Sequence, residues 1–325
     1  MAGLPGTRRS PGDTGPIRVH TRGPDEEWQP RSSRRGALSV MQLGITAFLT
    51  DRDMAPAALA QAVEERGFDS VFLPEHTHLP LRADVPPALV EGVRLEDYRR
   101  ALCPLVALST AVATTERLRL GTGILLAAQH DPIVLAKQVA TLDHLCGGRF
   151  TLGIGFGWNR AEAEDHGVDW SRRHAIVREH LLCMQALWSQ EQAEFHGEFV
   201  DLPPAWAWPK PAQQPRVRVL IGGGSGDAVL GAVAEYADGW MPIGGSGLAD
   251  AIPRLHQLAQ EKGRDPAELS VIPFSTIGTA AKLEHYATLG VTEVVLRLRS
   301  GSAAEMLPEL DTLADLLPLA AGLGG

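Results

Sequence analysis

Residues 117–159 read RLRLGTGILLAAQHDPIVLAKQVATLDHLCGGRFTLGIGFGWN. Two short aliphatic runs, Leu118 to Thr122 and Arg149 to Ile154, flank a segment whose apolar residues recur at helical spacing. Pro132 suits the first turn of that helix, and Gly147-Gly148 closes it after Leu145. Strand, helix and strand in that order make a βαβ unit. A parallel pair needs such a crossover, whereas a hairpin does not.

The same rhythm runs outward in both directions. Toward the N-terminus, Gln42 to Ala47 reads as a strand, Pro56 to Arg66 as a helix ended by Gly67, and Ser70 to Leu73 as a second strand. A helix over Cys103 to Thr115 leads into the quoted unit. Toward the C-terminus come a helix from about Ser171 to Trp188, a strand at Val217 to Ile221 and a helix at Asp227 to Tyr236. Three more pairs follow: Gly239 to Pro242 with Leu248 to Lys262, Ser270 to Ile277 with Ala281 to Leu289, and Val294 to Leu298 with Ala303 to Leu317. Eight strands, each followed by a helix, predict a closed (β/α)8 barrel over a doubly wound sheet. Two excursions break the rhythm, Glu75 to Ala101 and Gln190 to Arg216. The second carries Phe195, Trp206 and Trp208 among five prolines. Long loops on a compact domain are more often functional than accidental.

The first 40 residues differ in kind. They hold six Gly, five Pro, seven Arg and four acidic residues, a charge of +3, so the body from Met41 carries −12 and the whole chain −9. Such a segment buries too little apolar surface to offset its ordering entropy and is expected to be a disordered extension. It lacks the apolar core of a secretory signal. Met41 opens a strand directly and is a candidate start of translation. The barrel domain is therefore expected over residues 41–325. An acidic body argues against a nucleic-acid partner, which needs a basic face. No apolar run reaches the ~20 residues that span a bilayer. Cys103, Cys146 and Cys183 are scattered, form no metal-type cluster and read as reduced thiols of a cytoplasmic protein.

In such barrels the active site lies at the carboxyl ends of the strands. After the second strand come Glu75, His76, Thr77 and His78, where a carboxylate and imidazoles could move protons near neutral pH, bind metal, or simply bond within the loop. The third strand ends in Gly121-Thr122-Gly123-Ile124, which admits close approach to the backbone, an unusual peptide geometry or a plain turn. The fourth runs into Gly153, Gly155 and Gly157, then Trp158-Asn159. Three alternate glycines there would let a planar ring lie against the backbone. The pattern is no dinucleotide fingerprint, because the spacing and the position in the fold are wrong. The fifth ends in Gly222-Gly223-Gly224-Ser225-Gly226-Asp227 at a helix start. Free N–H groups there bind anions, unless Ser225 or Asp227 merely caps the helix. Together these strand ends predict a flat cofactor with a phosphate tail.

At these residues the chain resembles the luciferase-like flavin and F420 oxidoreductases. The resemblance rests on Gly67 to His76, on Leu120 to Ile124 with Asp131-Pro132, Leu135 to Gln138 and Gly147-Gly148-Arg149, on Gly153 to Asn159 with Glu162, on Arg173, Glu179 and Leu187-Trp188, and on Trp208 to Pro211 with Ile221-Gly222-Gly223. It covers roughly Met41 to Leu298. It implies a (β/α)8 barrel, a homodimer, a small-molecule substrate and hydride transfer by coenzyme F420, with FMN and oxygen chemistry as the alternative. It implies a cis peptide at Gly123–Ile124 behind the ring. It places Glu75, His76 and Asn159 as catalytic residues near cofactor and substrate, with His76 as proton donor or acceptor. Gly155 and Gly157 would lie against the cofactor, Trp158 and Asn159 would line the ring, and Gly222, Gly223 and Gly224 would hold the phosphate. Arg172 or Arg173 could add charge, although an exposed helix-face arginine is the plainer reading. Trp158 stands where several F420 enzymes carry an acid, which leaves the proton donor open. Two rivals from other classes are a metal-dependent hydrolase using His76, His78 and His130, and a barrel that binds without catalysing.

Overall fold

The computed structural model describes residues 40–83 and 95–323. Apart from Val40, the expected extension over residues 1–40 lies outside them, as does the middle of the first excursion.

Eight strands form one parallel sheet: β1 (Gln42–Thr46), β2 (Ser70–Leu73), β3 (Arg119–Thr122), β4 (Phe150–Ile154), β7 (Arg218–Gly222), β8 (Gly239–Met241), β9 (Ser270–Val271) and β10 (Glu293–Arg297). They pair in the order β10-β1-β2-β3-β4-β7-β8-β9. The ends meet through a parallel bridge between Thr276 and Leu296, so the sheet closes into the predicted barrel. The helices between strands are α1 (Pro56–Glu65), α2 (Leu95–Tyr98), α3 (Pro104–Val112), α4 (Pro132–Leu145), α5 (Arg160–Asp165), α6 (Arg173–Ser189), α7 (Asp227–Tyr236), α8 (Leu248–Glu261), α9 (Ala280–Thr288), α10 (Ala303–Ala314) and α11 (Leu317–Gly322).

Local chemistry explains the boundaries. Asp131 caps α4 by accepting from the N–H groups of Ile133 and Val134, both at 2.9 Å, and Pro132 occupies its first position. Gly147 and Gly148, with φ of 64° and 81°, turn the chain out of the helix. The seventh barrel strand is shorter than the expected Ser270 to Ile277, because Pro273 has no N–H and Ser275 takes a φ of 53°. Its ladder nonetheless continues: Ile272 and Phe274 donate to Trp240 and Pro242, and Thr276 donates to Val295.

The excursion from Gln190 to Arg216 is not all loop. It contains an antiparallel hairpin, β5 (Ala193–His196) and β6 (Asp201–Ala205). The side chain of Glu179 on α6 organises its turn, accepting from the N–H groups of Glu198, Phe199 and Val200 at 2.9, 2.7 and 3.1 Å. That partner is remote in sequence, so local pattern does not announce the hairpin.

Strand residues alternate between two cores. Val71, Leu73, Val219, Ile221, Val294 and Leu296 pack outward with the helices. Phe72, Leu220, Met241, Ile272, Phe274 and Val295 form a separate cluster in the lumen. The lumen holds large side chains only because glycines face them: a Cβ on Gly121 would sit 2.3 Å from the Phe72 ring.

At the amino end of the barrel, Glu293 on β10 is 5% exposed and pairs with Arg119 on β3 at 2.8 Å and Arg218 on β7 at 3.3 Å. Burial alone would raise its carboxyl, but the two guanidinium charges hold it below the ordinary range. A depressed carboxyl stabilises the fold above its unfolded pKa, and this contribution fades as pH falls through the folded value. Glu293→Gln should therefore lower stability by about 3 kcal/mol at neutral pH. In urea melts the gap to wild type should narrow as the pH is taken below 4; a constant gap would show that charge is not the cause.

Candidate functional site

The carboxyl ends of the strands surround one cavity of about 390 Å³. Of the residues singled out in the sequence, Glu75, His76, Gly123, Ile124, Gly155, Gly157, Trp158, Gly222, Gly223 and Gly224 all line it. Asn159 does not. It is 5% exposed and caps α5, its Oδ1 accepting from the N–H of Glu162 at 3.3 Å. Its place is one layer behind the cavity wall, not against a ring.

The floor of the cavity is the Gly123–Ile124 peptide, which is cis as expected. Hydrogen bonds pin it from both neighbours. The N–H of Gly123 donates to Leu73, that of Glu75 donates to Ile124, and Leu125 exchanges bonds with Gly153 and Gly155 of the adjacent strand. Several glycines serve this chain's own packing, where the sequence had suggested room for a ligand. A Cβ on Gly155 would meet Ile124 Cδ1 at 2.8 Å, and one on Gly222 would meet Ile124 Cγ2 at 2.4 Å. On Gly153 it would strike the Thr122 carbonyl, and on Gly123 the ring of Phe274. Only Gly224, among the glycines lining the cavity, has open space where a Cβ would go.

Glu75 and His76 are neighbours with different tasks. The Glu75 carboxylate is 4% exposed. It accepts from the N–H of Leu126 at 2.8 Å and meets His130 Nε2 at 3.0 Å, so it clamps the segment that follows the cis bond. His76 faces the other way. Its Nδ1 meets Glu162 Oε2 at 2.8 Å, and its Nε2 accepts from the indole N–H of Trp158 at 3.3 Å. Because Nε2 accepts, the neutral ring carries its proton on Nδ1 and donates it to Glu162. Glu162 is fully buried. Burial would raise its carboxyl, but His76 and the N–H of Thr77 outweigh this and hold it below the ordinary value. The rings of Phe48, Tyr98 and Trp158 close around the imidazole, at centroid distances of 6.1, 4.9 and 5.6 Å.

On the α6 and α7 side the cavity meets a loop suited to an anion. The N–H of Gly223 is spent on the Met241 carbonyl, and its own carbonyl accepts from Trp240. The N–H groups of Gly224, Ser225 and Gly226 have no partner among the described residues. No side chain caps α7, and Asp227 pairs with Arg254 instead. Neither Ser225 nor Asp227 therefore satisfies this helix start. Arg172 is the surface residue the sequence suggested, paired with Glu198. Arg173 is not: it lines the cavity, its guanidinium stacks 3.9 Å over the Trp170 ring, and its Nε is sealed from solvent with no partner. Beside it, His174 stacks on Phe156 at 3.8 Å, and burial, with Arg173 adding, lowers its pKa. An apolar floor at one end and unspent donors at the other fit a flat ring with an anionic tail.

The imidazoles of the metal reading do not converge. His76 is bound to Glu162, His130 to Glu75 and His78 to Asp165, and no group of three or more metal-ligating side chains is found among the described residues. Tyr98, Phe48, Phe274 and Arg297 line the cavity without a local signal, because they arrive from an excursion or from strand ends that carry no glycine marker.

Residues 55–288 match the luciferase-like monooxygenase family. An uncharacterised protein of Mycobacterium tuberculosis is 40% identical over 277 residues, covering 84% of this chain and 98% of the relative. An F420-dependent glucose-6-phosphate dehydrogenase of Nakamurella multipartita is 29% identical over 276 residues, covering 81% and 75%. The solved structure of the monooxygenase RslO1 from Streptomyces bottropensis matches with a TM-score of 0.71 at 20% identity, covering 86% of this chain and 100% of that one.

If Gly222 is glycine to admit Ile124, Gly222→Ala should destabilise by about 1–3 kcal/mol through overpacking. Adding Ile124→Ala removes the clashing methyl, so the two losses should be less than additive in a double-mutant cycle of denaturant melts. Strict additivity would show that the two residues do not share this space.

Proposed function

The chain belongs to the luciferase-like monooxygenase family and is an oxidoreductase of that class, and from this premise we propose that it exchanges a hydride between coenzyme F420 and a small organic substrate. The observation that carries the reading is one cavity lined both by a carboxylate-oriented imidazole, His76, and by Gly222 to Gly224, where an anion-receptive loop begins, with Arg173 on the same wall. The F420-dependent dehydrogenase relative supports this cofactor over FMN.

When bound, the cofactor supplies two-electron hydride exchange with a substrate carbon. The chain's part is orientation, exclusion of water and handling of one proton. Ile124 would support the ring from below. The N–H groups of Gly224 to Gly226, with Arg173, would take the phosphate. His76 would give or take, at Nε2, the proton that accompanies the hydride, so that a carbonyl gains a hydride on carbon and a proton on oxygen, or the reverse. Ionised Glu162 stabilises the imidazolium formed when His76 takes that proton, and fixes the ring's tautomer. Trp158 occupies the same nitrogen in the resting site and must yield it to substrate. No described helix is long and apolar enough to cross a membrane. We take the enzyme to act as a cytoplasmic homodimer.

Titration of the purified chain with F420 and with FMN, followed by absorbance and fluorescence, tests the cofactor. Saturable F420 binding is expected; tight FMN binding with no affinity for F420 would sink the reading. Gly224→Asp puts a negative charge into open space beside the phosphate, and should weaken F420 binding at least tenfold while leaving the melting curve unchanged. His76→Ala should retain F420 and slow hydride transfer about 10²-fold.

A further inference from the structure

Tyr98 carries no mark in the sequence. It ends the four-residue helix α2, in the excursion after β2. In the fold it comes back over the cavity, 5% exposed, with its ring 4.8 Å from Phe48, 4.9 Å from His76 and 5.6 Å from Trp158. The contacts with His76 and Trp158 are edge-on, at 70° and 84°.

The hydrogen bonds of this aromatic wall are already assigned, with one exception. His76 gives its Nδ1 proton to Glu162, and Trp158 gives its indole proton to His76. A buried tyrosine hydroxyl ordinarily finds a partner. That of Tyr98 has none among the described residues, yet it is not one of the polar atoms sealed from solvent. Tyr98 lines the cavity, where a ligand oxygen could supply the missing partner.

We infer that Tyr98 is a positioning residue for substrate: its hydroxyl donates to the carbonyl or hydroxyl oxygen on the reacting carbon of a compound whose flat apolar body lies against the aromatic wall of Phe48, Tyr98 and Trp158. This rests on the hydride-transfer reading above and names the substrate class for it. Donation leaves the phenol intact. Burial, with the charge of Asp97 adding to it, pushes Tyr98 up to about 12, so the hydroxyl stays protonated across the physiological range. Tyr98 and His76 line the same cavity with ring centroids 4.9 Å apart, so one substrate can meet both.

The probes are acetophenone and α-methylstyrene, which differ only in replacing the carbonyl oxygen by a methylene. Each is measured by equilibrium dialysis against the F420-loaded chain. Wild type should prefer the ketone about tenfold, as one hydrogen bond to a buried donor predicts. Tyr98→Phe keeps the ring and its packing. It should bind F420 as wild type does, which reports a folded site, and should bind the two probes equally. A merely structural tyrosine would not change this ratio. If Tyr98→Phe retains the preference, or if wild type shows none, the assignment of Tyr98 falls while the cofactor reading stands. Failure of wild type to bind F420, seen before any probe is added, overturns the cofactor reading and this inference with it.

Discussion

The side chain of Ile124 occupies the volume that Cβ atoms on Gly155 and Gly222 would claim, and the barrel mouth is arranged around it. Two neighbouring strands surrender their side chains so that a residue from a third can lie across their ends. Hydrogen bonds with Leu73, Glu75 and Gly153 hold the segment around Ile124 at this height. The result is an apolar floor made of one aliphatic side chain on bare backbone. A flat ring can rest on such a surface without displacing a polar group that would need another partner.

From this floor the chain divides two adjacent residues between support and chemistry. Both line the cavity, but Glu75 spends its carboxylate on Leu126 and His130, while His76 pairs with Glu162 and Trp158. The orientation of His76 comes from a short circuit in one stretch of chain. Asn159 caps α5 and so fixes Glu162; Glu162 accepts from His76; and Trp158, next to Asn159, donates to the other nitrogen of the imidazole. Asn159 thereby influences the site through a helix cap, and removing it would loosen Glu162 before it touched any ligand. A fully buried carboxylate is tolerable here because an imidazole and a backbone N–H both satisfy it.

The opposite wall follows a different logic. Gly223 is locked by Met241 and Trp240, which leaves the next three residues as the open part of the loop. The glycine run thus contains both a structural residue and accessible ones, and they cannot be ranked by inspection of the run itself. Arg173 makes the same point. Its neighbour Arg172 reaches outward to Glu198, while Arg173 folds over Trp170 toward the cavity. Arg172 ends the 3₁₀ turn before α6 and Arg173 opens α6, and that one step exchanges solvent for site.

What the sequence determined by itself was set by periodicity and by chain stiffness. Alternating strand and helix periods, with Pro132, Gly67 and Gly147-Gly148 at the boundaries, were sufficient for the (β/α)8 barrel, and glycines at strand ends pointed to the barrel mouth. These signals are local, because each depends on backbone conformations that neighbouring residues impose. Tertiary structure decided what each marked residue is for. Gly155 and Gly222 proved to make room for Ile124, Asn159 to cap a helix, and Glu75 to clamp a loop, while Glu179 built a hairpin and Tyr98 entered the cavity from a remote excursion. Each of those roles depends on which atoms occupy the space beside the residue. That is fixed only when strands far apart in the chain close the barrel, and sequence spacing carries no record of it.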